Sequence, residues 1–262
     1  MPRTNNPTHL SLVALVPARA GSKRIVGKNI RVLNGHPLLA YTIAAARAAD
    51  IFDDVLVSTD SEEYADIARY YGANVPFLRP VELAGDLSPD IEWVDFTLRR
   101  LATDGRAYDC FSILRPTSPF RQPETIQRAW SEFLTETGVD SLRAVEKCKQ
   151  HPGKMWIVRR NRMMPLLPLS PADQPWHSTQ YAALPEVFVQ NASLEIAWSR
   201  VVFETHTIAG NTVMPFLTRG YEGFDLNLPN DWLLAEILLE RGAVMLPQVP
   251  QNPYILPTHK YD

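Results

Sequence analysis

Residues 12–29 read LVALVPARAGSKRIVGKN: an apolar run from Leu12 to Val16, a proline, then twelve residues with four cations, two glycines and no acid. The run has the length of a buried strand, and Pro37 to Ala49 has helical spacing, with Leu38, Ile43 and Ala46 among good helix formers. A strand, a long basic loop and a helix predict a β-α unit. Its loop lies at the strand's C-terminal end, where open α/β sheets bind their ligands. Backbone N–H groups freed by glycine surround phosphate oxygens while Lys and Arg neutralise them, so Ala18 to Asn29 reads as a triphosphate site. The bland alternative is a solvated basic turn. The Walker A spacing G-x-x-x-x-G-K-[ST] is not met. Five residues separate Gly21 from Gly27, and Asn29 stands where the magnesium-holding hydroxyl belongs, which disfavours a P-loop NTPase.

The same alternation continues outward. Asp54 to Ser58 is a second β run, and Asp60 with Glu63 makes a D-x-x-E capping box for a helix from Ser61 to Tyr71, ended by Gly72. Ser88 as N-cap and Pro89 at N1 start a helix to about Ala102. Tyr108 to Leu114 is a third strand, and Pro123 opens a helix through Leu134. Strands alternating with helices predict an α/β fold with a mainly parallel sheet covered on both faces. From about Cys148 to Glu186 the pattern gives way to a proline-rich stretch around one β run, Met155 to Arg159. This 148–186 segment reads as an excursion from a single domain spanning 1–262. Ser193 to Trp198 then alternates as a strand, and Asn230 to Gly242 forms an amphipathic helix.

Composition narrows the function. The 262 residues carry 26 basic and 29 acidic side chains, a net charge of −3, so no global field draws the chain to nucleic acid or an anionic membrane. Any polyanion site is local. Cys110 and Cys148 lie far apart, and the six histidines form no HxxxH or HExxH pair, which excludes zinc and disulfide frameworks. Hydrophobic residues make up 45% and charged residues 21%, as in an ordinary folded protein. Arg3, the apolar Leu10 to Val16 and the small-x-small Ala18-Arg19-Ala20 have a signal-peptide look, but Pro17 interrupts the run and Met1 to His9 is barely basic. No apolar run approaches a membrane span, and the cytoplasm is the expected location.

The stretch ARAGSKRIVGKN resembles the A-R-x-G-S-K-x-x-x-x-K-N signature of the acylneuraminate cytidylyltransferases. Further matches follow in that family's order: GHPLLAYTI at Gly35 to Ile43, VLVSTD at Val55 to Asp60, RP at Arg79-Pro80, LRPTSPFR at Leu114 to Arg121, and FDLNLPNDW at Phe224 to Trp232. The resemblance covers roughly residues 11–240. It implies a Rossmann-like nucleotidyltransferase that joins CTP to the anomeric hydroxyl of a 2-keto sugar acid, releasing pyrophosphate with Mg²⁺. Such transfers rest on positioning and charge neutralisation, which suits a cationic loop. By the family pattern Arg19, Ser22, Lys23 and Lys28 hold the triphosphate, with Ala18 and Gly21 in the same loop and Asn29 contacting the nucleotide. Arg19, Lys28 and Asp225 form the catalytic set, with Lys28 nearest the developing charge. Arg79, Ala84 and Ser88 line the base, although Arg79 also reads as a loop arginine and Ser88 as a helix cap. Asp60 likewise reads as a cap or as a nucleotide-side acid. Arg115 and Thr117 of the PTSP turn are polar contacts to ligand or simply supports of the loop.

The chain departs from the family at two places. The metal motif, usually D-x-D or D-x-N, reads Asp225-Leu226-Asn227, giving Mg²⁺ one carboxylate and one neutral oxygen, with Asp231 left to the helix dipole. On the acceptor side, R-Q-x-x-P-E becomes Thr179-Gln180 before Pro185-Glu186, and N-G-A-I-Y becomes Asn191-Ala192-Ser193-Leu194-Glu195. Gln180 and Asn191 are retained. Glu195, on the strand face opposite Leu194 and Ile196, is expected to line the sugar pocket; either another cation such as Lys154 or Arg200 replaces the lost one, or the sugar is not an ordinary sialic acid. The resemblance also implies a homodimer through the proline-rich excursion. Two further readings stand beside the catalyst: a nucleotide-binding paralogue without turnover, and a nucleotidyltransferase for another acceptor such as Kdo.

Overall fold

The computed structural model describes residues 10–168 and 170–255, so the reading of Met1 to His9 lies outside the described residues. Two compact units partition the chain. The first takes in residues up to Ala144 and from Asn191 onward; the second is Val145–Gln190.

Six strands form the central sheet: β1 (Leu12–Pro17), β2 (Asp54–Ser58), β3 (Cys110–Ile113), β4 (Ser141–Lys147), β5 (Phe188–Trp198) and β6 (Val213–Leu217). Their spatial order is β6-β4-β5-β3-β1-β2. β1 runs parallel to β2, with Val13 opposite Asp54 and Pro17 opposite Ser58, and parallel to β3, with Leu12 opposite Cys110. β5 is antiparallel to β3, pairing Cys110 with Trp198 and Ile113 with Glu195. The helices are α1 (Leu38–Ala48), α2 (Glu62–Tyr70), α3 (Asp90–Thr103), α4 (Pro123–Thr135), α5 (Ser199–Thr205) and α6 (Pro229–Glu240).

Leu12 to Val16 are completely buried because both faces of β1 are covered, which is why the run is uninterrupted rather than alternating. Leu12, Ala14 and Val16 pack with Leu39, Ile43, Tyr64 and Ile126 from α1, α2 and α4. Val13 and Leu15 pack on the other face with Trp93, Leu98 and Leu101 of α3 and Val202 of α5. The result is a helix-sheet-helix sandwich with a Rossmann-like arrangement. A third cluster joins Ile25 of the basic loop to Leu226 and to Trp232 and Leu238 of α6, which brings residues about two hundred positions apart in sequence against each other.

Three local expectations are corrected. The cap of α2 is Ser61, whose hydroxyl accepts from the Tyr64 N–H, because Asp60 is engaged with the Ala20 N–H. α3 has Pro89 at its N-cap, and the Ser88 hydroxyl turns back to donate to the Glu82 carbonyl. β5 starts five residues before Ser193, while β4 and β6 were unforeseen. β4, SLRAVEK, carries charges at Arg143 and Glu146, and β6 is only five residues long, so neither shows a clean apolar period.

The second unit has little regular structure. Trp156–Arg159 pairs antiparallel with Arg162–Pro165, turning through Arg160 at φ 55°. Around this hairpin lie three short 3₁₀ turns, Pro152–Lys154, Trp176–Ser178 and Tyr181–Ala183. Its small interior is built on His151, 5% exposed, whose Nδ1 accepts from the Gly153 N–H at 3.0 Å. That bond leaves Nε2–H to donate to the Pro185 carbonyl at 2.9 Å, and the ring meets Trp176 and Tyr181 edge-on.

Candidate active site

The C-terminal ends of β1, β2 and β3 share one sheet edge, and the segments leaving them surround a cavity of about 370 Å³ within the first unit. The loop after β1 contributes Arg19, Ser22, Lys28 and Asn29. Gly27 holds a left-handed φ of 63° at the turn, and its carbonyl accepts from the Ile30 and Arg31 N–H groups, which swings Lys28 inward. Asn29, 6% exposed, donates from its amide to the Arg19 carbonyl, closing the loop on itself. Asp60, at the end of β2, braces the loop through Ala20 and is not part of the cavity lining.

Lys28 is half-buried rather than a surface lysine. Its ammonium donates to the Leu226 carbonyl at 2.8 Å, joining the basic loop to the Asp225-Leu226-Asn227 segment. Burial lowers its pKa from the ordinary lysine value, while the facing Asp225 carboxylate opposes that change. The Leu226 N–H in turn donates to the Thr117 carbonyl, so the PTSP turn, the D-L-N segment and the basic loop are fastened together. Asp231 caps α6 by accepting from the Asn227 and Leu228 N–H groups at 2.9 and 2.7 Å and stays out of the cavity. The Asn227 amide donates to Asp225 Oδ2, which leaves Asp225 Oδ1 buried without a hydrogen-bond partner on the cavity wall. A buried carboxylate oxygen without a partner suits a hard cation, and Mg²⁺ needs only one or two carboxylates beside phosphate oxygens. Among the described residues no cluster of three or more His, Cys, Asp or Glu suggests a self-sufficient metal cage.

At the far end, Arg79 is 6% exposed and fixed by donation to the hydroxyl and carbonyl of Ser58, both at 3.0 Å. Its guanidinium lies 4.6 Å from the centre of the Trp93 ring. Burial pulls its pKa down to about 10, and Asp60 and Asp90 offset part of that fall. Ser88 lines this end, whereas Ala84 is buried and offers its carbonyl to Arg19 at 3.1 Å. Arg115 lies between two acids, Asp90 at 2.6 Å and Glu195 at 3.0 Å. Burial works against ionisation of Asp90, but the Arg115 cation overrides it and holds the carboxyl below its usual range.

Several expected residues are placed elsewhere. Glu195 does not line the cavity: it is 4% exposed and bridges Arg115 and Arg143 behind the wall. Its charge is thereby matched by two arginines, which accounts for an acid at this strand position. Asn191 donates to the Thr218 hydroxyl and accepts from the Ser193 N–H, and its neighbour Ala192 faces the cavity instead. Gln180 belongs to the second unit, at the start of a 3₁₀ turn. Arg200 is paired with Asp140 and Glu204, and Lys154 with the His177 carbonyl and the Tyr181 ring, so neither stands as a free substitute cation. Ala18 and Gly21 do not line the cavity: Ala18 is buried and donates to the Ser58 carbonyl. Lys23 is also outside the lining, its ammonium on Asp86.

The sequence reading missed Asp86, Asp90 and Trp93, which supply two of the cavity's three carboxylates and the stacking face under Arg79. They come from one short stretch, Asp86 to Trp93, and two acids just before an amphipathic helix are ordinarily assigned to its dipole.

A phosphate-suited loop at the switch edge of a doubly covered, mainly parallel sheet defines a Rossmann-like nucleotidyltransferase. The cytidylyltransferase family matches residues 13–151, and this chain belongs to it. It is 34% identical to the CMP-N,N'-diacetyllegionaminic acid synthase of Legionella pneumophila, over 88% of this chain and 97% of that protein. It is 46% identical to the N-acylneuraminate cytidylyltransferase of Escherichia coli, over 47% of this chain and 28% of that longer protein. Among solved structures, a CMP:2-keto-3-deoxy-manno-octonic acid synthetase complexed with CTP superposes with a TM-score of 0.64 at 12% identity, covering 88% of this chain and 99% of the other. That likeness speaks for the fold.

Proposed function

We propose that this protein transfers CMP from CTP to the anomeric hydroxyl of a nonulosonic sugar acid, with release of pyrophosphate. The observation that carries the reading is the convergence, in one cavity, of Arg19, Lys28 and Asp225 from segments that meet only in the folded chain. The full-length similarity to a legionaminic acid synthase supports a nonulosonic acceptor. The sugar hydroxyl attacks the α-phosphorus in line with the departing pyrophosphate. Arg19 and Lys28 offset the charge that collects on the phosphate oxygens, and Lys28 is held for that purpose by Leu226. Arg79, Ser88, Arg115 and Thr117 all line the cavity, and in this reading the first two serve the base and the last two the acceptor. Asp225, with Asn227 beside it, would hold Mg²⁺, which when bound adds a divalent charge against the triphosphate oxygens.

The second unit serves as the dimer contact in this reading. Its hairpin exposes Val158 at 67%, Met163 at 56% and Met164 at 52%, an apolar surface its own small interior does not cover. A second copy of the chain would bury it. No described helix is long and apolar enough to cross a membrane. The proposed use of CTP as substrate is the ground on which we place the protein in the cytoplasm.

The test is pyrophosphate release with each of the four nucleoside triphosphates against a panel of 2-keto sugar acids, with nucleotide binding measured in parallel. CTP with a nine-carbon acid should be the productive pair. Binding without turnover would favour a paralogue that has lost catalysis, and turnover with Kdo alone would change the acceptor.

A further inference from the structure

The basic loop has an acidic partner within the protein. One carboxylate, Asp86, takes two of the loop's four cations: Oδ1 lies 2.8 Å from Arg19 Nη2, and Oδ2 accepts from the Lys23 ammonium. Hydrogen bonds from Lys23 and Arg19 hold its carboxyl below the ordinary aspartate value, so it is ionised at neutral pH. Two oxygens of one anion, each meeting one cation, is also how a phosphate group engages such a pair. Asp86 lines the cavity together with Arg19 and Lys28.

The segment that carries it is held otherwise by two hydrogen bonds of Ser88, from its hydroxyl to the Glu82 carbonyl at 3.1 Å and from its N–H to the Gly85 carbonyl at 3.3 Å. Ala84 is buried and marks one anchor, and α3 begins at Asp90. Between them Leu87 is 96% exposed, and Gly85 would bring a Cβ within 3.1 Å of only the Ser88 hydroxyl. No apolar packing resists the departure of Asp86, whereas Arg19 keeps a separate bond to the Ala84 carbonyl at 3.1 Å.

We propose that Asp86 is a built-in competitor for the phosphate chain: it occupies Arg19 and Lys23 when the cavity holds no nucleotide, yields them to the triphosphate, and reclaims them as pyrophosphate leaves. This rests on the cavity being the triphosphate site. A tethered anion competes at high effective concentration, so it lowers affinity most for ligands that depend on those two cations. Pyrophosphate has no base to anchor it and is the most affected. CTP is affected too, but keeps its contacts at the Arg79 end. The device favours release of pyrophosphate over its retention after transfer, which matters because a polyanion bound by Arg19 and Lys28, with Lys23 at the cavity's edge, would otherwise leave slowly.

The test is calorimetric titration of the full-length protein with pyrophosphate and CTP, with cytidine as a competitor, in wild type, Asp86→Asn and Asp86→Glu. Loss of two partly exposed ion pairs predicts roughly tenfold tighter pyrophosphate binding in Asp86→Asn and a smaller gain for CTP. Cytidine, which has no phosphate, should bind unchanged, and Asp86→Glu should stay close to wild type. Pyrophosphate product inhibition should strengthen in parallel. Unchanged or weaker pyrophosphate binding in Asp86→Asn overturns the assignment, because Asp86 would then merely position the cations. An equal shift for cytidine overturns it as well, since that reports a rearranged loop. Wild-type protein that binds neither CTP nor pyrophosphate overturns the triphosphate reading itself, a result distinct from either.

Discussion

The unit that holds the cavity and the unit formed by Val145–Gln190 solve opposite problems with the same chain. In the first, each strand residue from Leu12 to Val16 is fully buried, and the buried Glu195 carboxylate is matched by Arg115 and Arg143. In the second, a two-stranded hairpin shows apolar side chains on both faces, from Trp156 and Ile157 to Met163 and Met164. A hairpin by itself is marginally stable in water. A doubly covered sheet therefore leaves no strand residue exposed from Leu12 to Val16, whereas the weakly self-supported segment leaves apolar surface open to solvent.

The sharpest way to break this contrast is at Lys28. Its removal takes from the cavity the cation that the proposed reaction uses, but no apolar packing from the core. Lys28→Ala should reduce turnover roughly 10²- to 10³-fold while unfolding within about 1 kcal/mol of wild type. Near-normal CTP turnover in a protein with an unchanged thermal midpoint would remove the catalytic assignment.

The metal edge of the cavity is tested next. Asp225→Asn should abolish the Mg²⁺-dependent rate at practical concentrations, because it removes the carboxylate whose unpartnered Oδ1 is offered to the cation in the proposed site. Asn227→Asp should lower the Mg²⁺ needed for half-maximal rate. Titration curves that do not move in opposite directions would place the cation elsewhere.

In the second unit, the cross-strand pair Val158 and Met163 allows a change that keeps the hairpin while removing its apolar character. Val158→Lys with Met163→Glu retains an opposite-charge pair across the strands and should convert a dimer to a monomer in sedimentation at micromolar protein. Wild-type protein that already sediments as a monomer would refute the interface.

The smallest effect is expected at Cys110. Burial pushes its thiol up to about 12, so the group stays protonated up to strongly alkaline pH and the nucleophilic thiolate is scarce. Native protein treated with iodoacetamide at pH 8 should leave Cys110 unmodified until denaturant is added. Modification under native conditions would show that the core around β3 opens more readily than its packing implies.

Much of this molecule was legible before its structure was considered. The apolar run at Leu12, the second run at Asp54 to Ser58 and the proline-started helix at Pro123 are local signals, and each element lies where its pattern predicts. The basic loop was legible for the same reason: four cations without an acid within twelve residues are unusual whatever the fold. β4 and β6 were not, since charged or very short strands gain their place from neighbouring strands rather than from their own alternation. Asp60 and Ser88 were misread as caps because a motif shows which bonds a side chain is able to make and not which competitor reaches it first.

The sequence by itself determined the class of fold, the family and the cationic loop, because periodicity and charge density within about a dozen residues are enough to specify a strand, a helix or an anion-binding turn. Only the tertiary structure decided which charges meet. Asp86 neutralises Arg19 and Lys23, Glu195 is withdrawn from the cavity by Arg115 and Arg143, and Lys28 is drawn to the Leu226 carbonyl. These pairings join segments far apart in sequence. Coulombic attraction acts over a few ångströms of space whatever the distance along the chain, so they exist only after the sheet has brought its strand ends to one edge.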